Sequence, residues 1–185
     1  TVAIGDATGH GMRAGTMVSV IKSLFVAESS QMELSGFMDK CHRTIRELRL
    51  GNLYMGLTLA RYTDNQLSLL SAGMPPVFHY RRKENTLDEI LMKVLPLGAP
   101  SALSLKPVNI QMGSGDLLIF MSDGYPELFN SRQETFGIEN VKRVIKENVD
   151  TPVGKIVDRL LAAGDRWRED FPQKDDITFI ILKIT

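Results

Sequence analysis

The sequence predicts an α+β fold, with helical pairs near the two ends of the chain and a run of short antiparallel strands between them. Three observations carry this. Apolar residues recur at helical spacing between Met12 and Leu50 and again after Ile138. The middle of the chain is cut into short β-branched or apolar runs by Gly, Pro, Asn and Asp. Most links between those runs are too short for the crossover that parallel strands need.

Taken in order, Thr1-Val2-Ala3-Ile4 reads as an opening strand, and Gly5–Gly11 as a turn rich in Gly, Asp and Thr. A helix is predicted from Met12 to about Glu28, with Met17, Val20, Ile21, Leu24 and Phe25 in step. A second runs from about Gln31 to Leu50, with Leu34, Phe37, Met38, Cys41, Ile45 and Leu48 on one face. Met12, Met17, Met32 and Met38 are assigned to the core of these helices, and His42 to a half-exposed packing position. Met55–Tyr62, Gln66–Ser71 and Val77–Tyr80 form a meander, turning at Thr63-Asp64-Asn65 and Gly73-Met74-Pro75-Pro76. Arg81-Arg82-Lys83 is a solvated hairpin tip, and His79 has no acid or Ser partner in view. Strands at about Lys106–Gln111 and Asp116–Ser122 are joined by Gly113-Ser114-Gly115. Helices follow at about Ile138–Asn148 and Pro152–Arg168, the latter with Thr151 as N-cap and Pro152 in its first turn. The apolar run Ile177–Ile184 closes the chain as a strand.

At 185 residues the chain fits one domain spanning positions 1–185, large enough to hold a full core. Its 22 basic and 22 acidic residues balance, which removes the electrostatic footprint of a nucleic-acid binder. No apolar run approaches the roughly 18–20 residues of a membrane span, so no membrane insertion by this domain is expected. Cys41 is the only cysteine, which excludes zinc clusters and internal disulfides and points to a reduced, cytoplasmic protein. Thr1 is not an initiator Met, and the chain is expected to begin inside a domain.

Three places share one feature. Val2-Ala3-Ile4-Gly5 runs into Asp6, Leu117–Ser122 runs into Asp123, and Asp175-Asp176 runs into the last apolar strand. A carboxylate held at the lip of a core is costly unless paired or bound to a metal. Oxygen ligands at several strand ends suit hard cations such as Mg²⁺ or Mn²⁺. The bland alternative is that each Asp caps or opens a turn. Gly9-His10-Gly11-Met12-Arg13-Ala14 also matches a dinucleotide-binding pattern, but the second parallel strand which that reading needs is missing, because the chain continues as helix.

Gly5-Asp6-Ala7-Thr8-Gly9-His10-Gly11, Ser71-Ala72-Gly73-Met74-Pro75-Pro76, Leu95-Pro96-Leu97-Gly98, Gly115–Glu127 and Asp175-Asp176-Ile177-Thr178 stand in the order found in a known family. Over its whole length the chain resembles the SpoIIE/RsbU-like branch of the metal-dependent, 2C-type (PPM) protein serine/threonine phosphatases. The resemblance implies an α-β-β-α sandwich of two mostly antiparallel sheets flanked by helices, a two-metal Mn²⁺ or Mg²⁺ centre, and hydrolysis of phosphoserine or phosphothreonine. Position by position, Asp6 looks like the carboxylate bridging both metals, with the Ala7 carbonyl as a further ligand. Asp123 looks like the ligand from the Asp-Gly motif and Asp175 like the last ligand, with Asp176 behind Asp175; Asp6, Asp123 and Asp175 act through a metal-activated water. His10 is a candidate general acid. The family usually has His where this chain has Met74. It also has a metal-binding Asp on a strand upstream of Gly5-Asp6-Ala7, so the domain is expected to be N-terminally incomplete, lacking that Asp and one or two strands. The resemblance further implies a phosphorylated anti-anti-sigma (STAS-type) protein as substrate in a bacterial partner-switching pathway, and an upstream sensor domain or regulator. The alternative is a catalytically inactive, phosphatase-like protein-binding module.

Overall fold

A computed structural model describes all residues, 1–185. The chain divides into two compact units, one formed by Thr1–Met74 with Leu91–Met112, the other by Pro75–Ile90 with Gly113–Thr185. Each holds one four-stranded sheet and one helical pair, and every strand pairing is antiparallel. The fold is α+β, as the sequence predicts.

The first unit contains β1 (Val2–Ala7), α1 (Met12–Glu28), α2 (Leu34–Leu48), β2 (Met55–Thr63), β3 (Gln66–Ala72) and β6 (Val108–Gln111). Its sheet has the order β1-β2-β3-β6. The helical spacing does what it predicts, since Met17 and Ile21 of α1 and Phe37, Met38, Cys41 and Ile45 of α2 pack on Leu57, Leu59 and Leu70. Burial pushes the Cys41 thiol up to about 12, which leaves it a protonated packing residue. Two expectations fail here. Met12 is 87 % exposed, because it opens α1 ahead of the buried stripe. His42 is buried, and its Nδ1 accepts the Gly98 amide at 3.2 Å.

The second unit contains β4 (Val77–Arg81), β5 (Thr86–Ile90), β7 (Leu117–Met121), α3 (Gly137–Asn148), α4 (Val153–Arg168) and β8 (Phe179–Lys183), with sheet order β5-β4-β7-β8. All five residues of β7 are buried, as its unbroken apolar run requires. Ile119 and Met121 join Tyr125, Val141, Ile145, Ile156 and Leu160 in one core. Tyr125 anchors the segment that follows β7: its hydroxyl donates to the Leu160 carbonyl at 2.6 Å, and its ring meets Phe136 and Phe179 at 5.1 and 4.8 Å. Gly164 allows this approach, because a Cβ there would lie 3.0 Å from the Tyr125 ring and 2.8 Å from Leu128.

The structure corrects the sequence reading at three points in this unit. β5 is a strand where a polar loop follows the basic tip, and Arg81 and Lys142 hold its acids Asp88 and Glu89, each at 2.6 Å. Thr151 does not cap α4. Its hydroxyl donates back to the Asn148 carbonyl at 2.7 Å, and Pro152 takes the N-cap position. His79, fully buried, has an acid partner after all: its Nε2 lies 2.9 Å from Asp116 Oδ2.

That Asp116 carboxylate also accepts the Gly113 and Arg82 amides at 2.9 Å each, so it ties the turn before β7 to the β4–β5 tip. Burial pushes the Asp116 carboxyl up, but these two amides and His79 outweigh it and hold it below the usual range. A carboxyl depressed in the fold stabilises above its unfolded value, and that contribution is lost as the pH falls through the folded one. Asp116→Asn should therefore destabilise the chain at neutral pH by about 1–3 kcal/mol, the cost of leaving buried donors poorly matched. Its stability should also fall less steeply than that of the parent below about pH 4. Denaturant melts from pH 3 to pH 7 check both, and parallel curves would show that the pair carries no linkage.

Candidate metal centre

Asp6 lies near the end of β1, Asp123 just beyond β7, and Asp175 in the segment that leads into β8. In the first unit, Asp6 lies on β1 opposite Gly56 of β2, and Ala7 is opposite Met55. Just past the strand, Thr8 is tied to Tyr54, the residue before β2: its amide donates to the Tyr54 carbonyl at 2.9 Å and its hydroxyl accepts the Tyr54 amide at 2.8 Å. His10 is exposed in the loop that follows, and Gly11, in the left-handed region at φ 78°, leads into α1.

In the second unit, Ser122 does the positioning. Its hydroxyl donates to the Asp176 carbonyl at 3.0 Å and accepts the Thr178 amide at 2.9 Å, while its own amide donates to the Thr178 carbonyl at 3.1 Å. These bonds clamp the segment before β8 to the end of β7. Gly124 lets the two backbones close: a Cβ on it would clash with the Asp176 carbonyl oxygen and lie 3.1 Å from that carbonyl carbon. Gly124 is absent from the positive-φ positions, so its value lies in this approach rather than in the turning of its own backbone.

The result is that carboxylate oxygens of Asp123 and Asp175 lie within 4.8 Å of one another. Asp123 Oδ1 is buried and has no hydrogen-bond partner, whereas one Asp175 oxygen accepts the Asp176 amide at 2.8 Å. Asp176 is exposed beside them. An ionised oxygen buried without a donor is costly unless a cation meets it, and two convergent carboxylates offer the hard oxygen donors that Mg²⁺ or Mn²⁺ take. The residues fit such an ion. Sequence reasoning missed Glu127 as part of this cluster. Its amide donates to the Asp123 carbonyl at 3.0 Å, and although the residue is exposed, partial desolvation of its carboxyl together with the Asp123 and Asp175 charges pushes it above the usual range. Its spacing of four from Asp123 across a turn is the only signal the sequence offers.

A family model, Stage II sporulation protein E (SpoIIE), matches residues 1–185. The chain belongs to the SpoIIE family. Phosphoserine phosphatase RsbU of Bacillus subtilis (strain 168) is 27% identical over 187 residues, covering 98% of this chain and 55% of that protein. This SpoIIE-family chain thus spans about half the length of the curated relative it matches. Among solved structures, the SiaA-PP2C domain of Pseudomonas aeruginosa superposes with a TM-score of 0.81 at 16% identity, over 99% of this chain and 74% of that one. The PP2C phosphatase domain of SpoIIE from Bacillus subtilis, with a fragment of its regulatory domain, gives 0.76 at 22% identity, over 98% and 53%. These likenesses establish the 2C-type phosphatase fold. Structures of the same fold have been solved with magnesium, for RsbX, and with 2 manganese ions, for the PstP catalytic domain. No helix of the chain is long and apolar enough to cross a membrane.

Proposed function

We propose that this chain is a metal-dependent protein phosphatase that hydrolyses phosphoserine or phosphothreonine on a signalling partner. The observation that carries the reading is the buried, partnerless Asp123 Oδ1 beside Asp175, in a chain of this family. Asp123 and Asp175 would hold Mn²⁺ or Mg²⁺ together with Asp6 and the Ala7 carbonyl, with Asp176 behind Asp175. When bound, a pair of such ions makes a water nucleophilic at neutral pH and neutralises phosphoryl oxygens. The chain's own residues supply placement. β7 and Tyr125 fix Asp123, and the Ser122 clamp fixes the Asp175 backbone against it. His10, exposed after β1, is proposed to give a ring proton to the leaving serine or threonine oxygen. The named activity of RsbU supports a phosphoserine substrate, here proposed to sit on a STAS-type anti-anti-sigma protein, with a regulator acting from outside these 185 residues.

The test is phosphate release from a phosphorylated STAS-type protein, with Mn²⁺ and with EDTA. Release in Mn²⁺ and none in EDTA is expected. Because the carboxylates repel one another when empty, the ion should also stabilise the fold by about 2.7 kcal/mol at a hundredfold excess over its Kd. No release together with an unchanged Tm across the Mn²⁺ titration would leave the chain a protein-binding module.

A further inference from the structure

A second concave site lies between α3 and α4, sharing no residue with the acid cluster. It is a groove of about 490 Å³ lined by Arg143, Arg159 and Arg166 together with Glu147, Phe136 and Trp167. Arg159 and Arg166 are seven positions apart on α4, so they share one face, about 10 Å apart along the axis. Arg143 enters from α3. The charges in the groove do not cancel. Glu147 is its single acid and reaches Arg143 only at 3.7 Å, while Arg159 and Arg166 take part in no ion pair. In a chain whose charges balance overall, three guanidinium groups facing one carboxylate in one concavity form a local excess of positive charge.

The aromatic wall is rigid. The Trp167 indole N–H donates to the Glu134 carbonyl at 3.3 Å, and its ring meets Phe136 edge-on at 5.8 Å. Guanidinium forks match phosphate oxygens two at a time and are weakly hydrated, so they bind such groups without a metal. Arg159 and Arg166 leave α4 about 10 Å apart, farther than one phosphate group spans. We infer that the α3–α4 groove binds a small ligand carrying two linked phosphate groups, its charge held by Arg143, Arg159 and Arg166 and its body against Trp167. This inference does not depend on the phosphatase reading.

Trp167 is the only tryptophan in the chain, so its fluorescence reports on this groove alone. Inorganic pyrophosphate is titrated into the 185-residue protein at constant ionic strength in EDTA, where no divalent ion can carry it to the acid cluster. A saturable change with a midpoint below about 1 mM is expected. In Arg159→Gln/Arg166→Gln the midpoint should rise at least about tenfold, since two charge-assisted contacts are gone. Both side chains are exposed, so the fold should stand; if the double variant melts early, Arg159→Gln alone carries the comparison. A linear response, the same response to sodium chloride, or an unchanged midpoint in the variants would overturn the inference.

Discussion

Asp123→Asn should lower Mn²⁺-dependent phosphate release by at least about a hundredfold, or roughly 2.7 kcal/mol of transition-state stabilisation, in a protein that still folds. The side chain keeps its shape and loses the charge that would hold the cation. Its backbone is fixed by β7 on one side and by the Tyr125 hydroxyl on the other, so the substitution has little to collapse. The metal-free variant should melt at the parent's temperature or slightly higher, because a buried oxygen with no donor no longer carries charge. The Tm in EDTA and kcat/KM in Mn²⁺ read the two halves separately. A variant that unfolds, with its residual folded fraction fully active, would make Asp123 a turn residue instead.

Gly124→Ala should be nearly as damaging, by another route. The added methyl clashes with the Asp176 carbonyl oxygen, and neither backbone can yield cheaply, since Ser122 bonds both Asp176 and Thr178. Overpacking of this kind costs about 1–3 kcal/mol of stability. The activity loss should be larger in proportion, because pushing Asp175 away by about 1 Å can cost a hundredfold in rate. Gly154→Ala on α4 is the matched control: nothing lies within 4 Å of its Cβ, and a helical Gly→Ala change stabilises by up to about 1 kcal/mol. If both variants melt above the parent and keep full activity, the close approach at Gly124 has no functional weight.

The helices were legible because their buried stripes repeat at the helical period, and β7 because its apolar run is too short for a helix and is bounded by Gly115 and Gly124. β5 was not. Thr86-Leu87-Asp88-Glu89-Ile90 carries two acids in five residues, and only ion pairs with Arg81 and Lys142 show what they do on an edge strand. The aspartates could be found because a charge at the mouth of an apolar run is conspicuous. Glu127 lies in a turn, where acids are usual, and its environment arises only when β7 and the residues before β8 are side by side. The His79–Asp116 pair joins residues 37 apart, a distance over which single-sequence patterns are silent.

The route of the chain between its units bears on synthesis. The first unit is left at Met74 and completed only by Leu91–Met112, while β4 bonds to β5 on one side and to β7 on the other. On the ribosome the β4–β5 hairpin therefore emerges before the strand that seals its inner edge. For that interval it presents Val77-Phe78-His79-Tyr80 with open backbone donors and acceptors, the kind of edge on which strands from other chains can add. The charges around that segment, Arg81-Arg82-Lys83 at the tip and Asp88-Glu89 on the returning strand, are the kind that deter such addition. The exposure ends when Leu117–Met121 arrives and pairs with β4.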